Sequence, residues 1–105
     1  MQHLAEYNKV VEDVKNGAIS STSTLGVIDL REIKDLPPDI IALRAARLSN
    51  GTVAVEFLRS NDGRIHKGYL FKDFQDSDAG ADQIMRMEQR FELHQVEGNW
   101  YRFSD

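Results

Sequence analysis

Cysteine is missing from the chain altogether, which excludes a disulfide framework, thiol chemistry and any Cys-based zinc site, and leaves the compartment unmarked. Long apolar runs are missing too. Nothing approaches the ~18 consecutive apolar residues that cross a bilayer, and Met1-Gln2-His3 leads into polar sequence rather than into the apolar core of a signal peptide. The expectation is a soluble chain with no membrane insertion. Basic charge is in short supply: 13 Lys and Arg stand against 17 Asp and Glu, a net charge of −4, and the cations are scattered. A nucleic-acid surface normally needs a basic face, so no nucleic-acid partner is expected. Internal repeats, low-complexity segments and nucleotide-binding loops are absent. The serines cluster in loops with no His-carboxylate pair, and Glu56 and Glu92 have no reason in sequence to face each other, so no catalytic residue and no enzyme class is indicated.

What is present is ordinary for a folded domain: 105 residues, 41% hydrophobic and 29% charged. A chain of this length forms one domain and buries about two thirds of its extended surface, enough for a single core. The stretch Thr52 to Lys72 is its expected centre. Val53, Val55 and Phe57 alternate with Ala54, Glu56 and Leu58, as in a strand with two distinct faces. Ser60-Asn61-Asp62-Gly63 can reverse the chain, because Asn and Asp bond to their own backbone and Gly takes positive φ without steric cost. With these four as the loop, Glu56 falls opposite Lys67, Leu58 opposite Ile65 and Ala54 opposite Tyr69.

Before this hairpin, Leu4, Tyr7, Val11, Val14 and Ala18 recur at spacings of three and four, which predicts an amphipathic helix over residues 3 to 16 stopped by Asn16-Gly17. Its stripe should dock on the sheet, since isolated helices this short are marginal in water. Residues 18 to 38 read as a long connection over the sheet, with a short strand within Leu25 to Leu30 and one helical turn within Arg31 to Leu36. Ile19, Leu25, Val27, Ile28, Leu30, Ile33 and Leu36 are available to pin it, and Pro37-Pro38 closes it. Residues 39 to 51 admit two readings. Pro38-Asp39 can open a helix rich in Ala, Leu and Arg, or Asn50-Gly51 is a two-residue turn and residues 43 to 49 a strand with Leu48 facing Val53 and Ala46 facing Val55. The Asn-Gly signal favours the strand.

After Lys72 come an acidic loop, Asp73 to Asp82, and a short helix over about Asp82 to Glu88. Gly98-Asn99 marks a last hairpin. A two-residue turn would split Phe91 and Leu93 from Tyr101 and Phe103. A three-residue loop over Glu97 to Asn99, with Asn99 left-handed, sets all four on one face and is preferred. The fold class expected is α+β: an N-terminal helix, a long connection and an antiparallel β-meander of four to five strands.

Two groups of candidate residues follow. Asp76, Asp78 and Asp82 alternate around Gly80 and offer oxygens of the kind a hard cation takes, calcium being the ion of choice. The spacing does not fit an EF-hand, which wants glycine at position 6 and Glu at position 12, and a solvated acidic loop with no cofactor is the default. In the last hairpin, Trp100, Arg102, His94 and Val96 share the face opposite the aromatic core, a combination of the sort that anchors a protein partner or self-association. In the alternative, the N-terminal helix or the 18–38 connection covers that face and Trp100 is core. His3, His66 and His94 have no metalloenzyme spacing, although sheet packing can bring His66 and His94 together.

The order of parts, with a helix from Leu4 to Asn16, a connection to Pro38, a meander through GYLFK, an acidic loop DSDAGAD and a closing GNWYRF, resembles the soluble head of a bacterial pilin or pseudopilin. That resemblance implies a non-enzymatic, filament-related assembly or binding module, with calcium in the late loop of some members. It also implies an extracytoplasmic location if an anchor or signal preceded Met1, and a cytoplasmic one otherwise. The other class compatible with the sequence is a free-standing cytosolic α+β domain that binds a small ligand or regulates a partner.

Overall fold

A computed structural model describes residues 3–34, 36–62, 65–88 and 92–104. The arrangement is α+β, with an N-terminal helix packed on an open antiparallel sheet that has six strands among the described residues. The elements in chain order are α1 (Leu4–Lys15), β1 (Gly26–Val27), a 3₁₀ turn (Leu30–Glu32), β2 (Ala42–Arg47), β3 (Val53–Asp62), β4 (Ile65–Lys72), α2 (Ala81–Glu88), β5 (Glu92–Glu97) and β6 (Trp100–Ser104). The strands lie in the order β1-β2-β3-β4-β6-β5, so the meander of four to five strands becomes a six-stranded sheet whose last hairpin docks through its second strand. The reason is apolar content. β6 brings Trp100 and Phe103, both buried, whereas β5 is Glu-Leu-His-Gln-Val-Glu and mostly exposed, which suits a sheet edge.

Residues 42 to 47 are a strand, so the helical alternative for 39–51 falls, but the register differs by one from expectation. Ser49 to Gly51 form a three-residue loop, closed by the Leu48 N–H on the Thr52 carbonyl at 2.8 Å, with Gly51 at φ +86. Asn50 uses its side chain to accept from the Thr52 N–H (3.1 Å) and hydroxyl (2.6 Å). Ala45, not Ala46, therefore sits opposite Val55, and Ala46 sits opposite Ala54.

The central hairpin is also longer than expected. Ser60, Asn61 and Asp62 belong to β3, pairing with Lys67, His66 and Ile65, and a β-bulge falls between Leu58 and Ser60. Glu56 is opposite Leu70, Leu58 opposite Gly68 and Ala54 opposite Lys72, so the expected Glu56–Lys67, Leu58–Ile65 and Ala54–Tyr69 pairs do not form. The three-residue displacement reverses the faces of β4. It sets Tyr69 and Phe71 opposite Phe57 and Val55, on the side where α1 packs, and face burial fixes register more strongly than any single cross-strand pair.

Two apolar layers result. On one face Tyr7, Val10, Val11 and Val14 of α1 meet Leu43, Ala45, Val53, Val55, Phe57, Phe71 and Trp100. Ala18 of the expected stripe is exposed, while Val10, outside it, is buried. On the other face Ile84 and Ala81 of α2 pack with Phe74, Leu25, Leu48, Ala46 and Ala54. Most of the 18–38 connection is pinned as expected, but Val27 is 77% exposed. Asp73 ties the end of α1 to the start of β3. One carboxylate oxygen accepts from the Val53 N–H at 2.8 Å, and the other pairs with Lys15 Nζ at 2.7 Å.

The last hairpin has a two-residue turn. Glu97 pairs with Trp100, and the positive φ falls on Gly98 (+52), not on Asn99. A bulge between Gln95 and Glu97 then restores the register that a three-residue loop would have given, Leu93 opposite Phe103 and His94 opposite Arg102. Phe91 lies outside the described residues.

Candidate functional site

The β3 bulge shapes the chemistry of one end of the sheet. Arg59 lies in the register break, out of the regular ladder, and such breaks re-aim side chains. Its Nε donates to Asp39 Oδ2 at 2.6 Å, Nη1 donates to the Tyr69 hydroxyl at 3.3 Å, and the guanidinium lies 5.1 Å from the Tyr69 ring centre. Asp39 is held beside it because Pro37-Pro38 lead into β2 and the Ile41 N–H donates to the Leu58 carbonyl at 2.8 Å. From the helix side the Tyr7 hydroxyl donates to Asp39 Oδ1 at 3.5 Å. The Tyr7 ring packs edge-on against Phe57, Tyr69 and Trp100, with centroids 4.8, 5.5 and 5.9 Å apart. Burial, and then the negative charge of Asp39, push the Tyr7 phenol up to about 12. Partial burial works against the Arg59 cation, but the hydrogen bond and charge of Asp39 outweigh it and hold the guanidinium above its ordinary range. His3, Tyr7, Pro38, Asp39, Arg59 and Tyr69 line a cleft of about 360 Å³ here.

Arg59 also borders a second groove, of about 290 Å³, with Lys67, Gly68, His94, Arg102, Phe103 and Ser104. Register explains the convergence. Lys67 pairs with Ser104, Tyr69 with Arg102, and Arg102 with His94, so Lys67, Arg102 and His94 project from one face, the same face that carries Trp100 further along β6. Cross-strand neighbours of this kind sit about 4.5–5.5 Å apart at Cβ, and diagonal ones about 7–8 Å. Arg59, Lys67, His94 and Arg102 are all exposed. Arg59 is engaged by Asp39, and His94 Nε2 lies 3.1 Å from Glu92. Among the described residues Lys67 and Arg102 have no carboxylate within ion-pair distance. A chain of net charge −4 thus concentrates positive potential at one end of its sheet.

The structure divides the sequence-derived candidates. Trp100 is 5% exposed and packs against Tyr7, Phe57 and Phe71 beneath α1, which is the covered-face alternative. It is therefore no surface anchor in this conformation, because α1 shields the half of the face where Trp100 sits. His94 and Arg102 are exposed and lie together in the groove, while Val96, 42% exposed, is the bulged residue of the edge strand. His66 on β4 and His94 on β5 are separated by β6. Asp76, Asp78 and Asp82 are not gathered into a metal-holding group, and none exists among the described residues. Asp78 accepts from the Gln75 N–H at 2.8 Å, which folds the loop on itself, and Asp82 pairs with Arg86 one helical turn on at 3.6 Å.

Asp39, Arg59, Lys67 and the polar role of Tyr7 escaped the reading by sequence. Tyr7 registers only as one more member of an apolar stripe. Arg59 and Lys67 flank the hairpin turn, which is the signal that could have placed two cations side by side. No helix among the described residues is long and apolar enough to cross a membrane. Compared with known protein families, curated proteins and solved structures, the chain matches none.

Proposed function

We propose that this chain is a non-enzymatic binding module that receives an anionic ligand in the groove between Arg59, Lys67, His94 and Arg102. The observation carrying the reading is the convergence of three cationic side chains and a histidine, one from each of four strands, on one groove of an acidic protein. Like charges that close repel one another, so their assembly costs stability unless an anion offsets it. Small anions titrated into labelled protein at low ionic strength should shift amide resonances of Lys67, Gly68, Arg102 and Ser104. Added salt should weaken the effect. Lys67→Ala and Arg102→Ala should each reduce it without lowering the melting temperature, since both side chains are exposed. Anion responses spread evenly over the surface would count against the groove.

Assembly with a protein partner or a second copy, including the filament-related role suggested by the order of elements, is the second reading. It is favoured by β5, an edge strand with Val96 exposed. Sedimentation over a range of concentrations tests the self-associating form, and an invariant monomer rejects it.

A further inference from the structure

We infer that the groove is built for a dianionic phosphoryl group, so that its ligand is a phosphomonoester; this rests on the anion-binding reading above. The argument is one of charge balance. Arg59 is already engaged by Asp39 at 2.6 Å, and the His94 ring lies against Glu92 at 3.1 Å. Lys67 and Arg102 remain uncommitted among the described residues, and they are the two fixed positive charges an incoming group meets. A monoanion leaves one of them uncompensated. A phosphomonoester, with its second ionisation near 6, carries close to two negative charges at neutral pH and matches both.

Geometry agrees with charge. Arg102 and Lys67 stand diagonally across the β4–β6 ladder, with Ser104 opposite Lys67 on the same face. A tetrahedral group between them meets a planar guanidinium fork on one side, a compact ammonium on another and a hydroxyl donor on a third. The groove volume of about 290 Å³ exceeds what a bare phosphoryl group fills and leaves space for a small ester.

The test compares inorganic phosphate, glycerol 3-phosphate, dimethyl phosphate and acetate on the intact chain at low salt and about pH 7.5, where the monoester is dianionic and the diester monoanionic. Affinity is read by calorimetry and the site by amide shifts. Phosphate and glycerol 3-phosphate should bind about tenfold or more tighter than dimethyl phosphate and acetate, as expected when a second charge is compensated at close range. Lys67→Ala and Arg102→Ala should each erase most of that preference. Vesicles of phosphatidylcholine with and without phosphatidate separate the sources. Uptake restricted to phosphatidate vesicles places the phosphomonoester on a lipid, and binding of soluble glycerol 3-phosphate places it on a small molecule. Equal affinity for all four anions at this groove overturns the dianion assignment while leaving an anion site in place. No binding of any probe, in wild type or variants, overturns both.

Discussion

Tyr7 shows how one residue serves packing and electrostatics together. Its ring joins Phe57, Tyr69 and Trp100, and its hydroxyl faces Asp39. Because the folded phenol ionises near 12 and an ordinary one near 10, Tyr7 is neutral in both states below pH about 10 and its contribution is then complete. As pH rises from about 10 through 12, the unfolded chain releases this proton while the folded chain keeps it, so stability falls by up to about 1.4 kcal/mol per pH unit. Urea melts of wild type and Tyr7→Phe across that window check this, and the variant should lose that part of the slope. An identical slope in both would assign the effect elsewhere. Gly68 is as constrained by shape as Tyr7 is by charge. A Cβ there would lie 1.9 Å from the Phe57 carbonyl oxygen and 2.8 Å from Phe103 Cζ, so the strand itself would have to move. Gly68→Ala should destabilise by about 3 kcal/mol or more, at the upper end of overpacking costs, as measured by chemical denaturation.

At the scale of elements, α1 is held by its apolar face and anchored at one end. Val10, Val11 and Val14 are 2% exposed or less, Lys15 pairs with Asp73 and lies 5.3 Å from the Phe71 ring centre, and Tyr7 closes the other end. Val11→Asp should cost about 3–5 kcal/mol, by analogy with a buried charge left without its partner. A thermal melt checks it, and an unchanged midpoint would mean that α1 does not depend on this contact. The two bulges act as elements of a different sort. One frees Arg59 from the ladder to meet Asp39, and the other keeps His94 opposite Arg102 despite the tight turn at Gly98. Neither has a local signature, because a bulge is the compromise between a turn and a distant packing requirement.

Over the whole molecule, a sheet covered by α1 on one side and by α2 on part of the other leaves the basic end of the α1 face uncovered, which is where the proposed site lies. Local signals were sufficient for α1, for the strand character of Val53 to Leu58 and Gly68 to Lys72, for a chain reversal near Gly98 though not for its two-residue form, and for the α+β class, since each depends on residues within a turn or two of one another. The same local signals left residues 39–51 open between helix and strand, because Ala, Leu and Arg favour one and Asn-Gly the other. Tertiary structure alone decided the register of β4, which burial of Tyr69 and Phe71 under α1 displaced by three residues. It alone buried Trp100, because the face of β6 that α1 covers depends on contacts almost a full chain length apart. The groove is of the same kind: Arg59, Lys67, His94 and Arg102 become neighbours only when β6 chooses β4 as its partner, a choice made by the aromatic residues of β6 and not by the charges themselves.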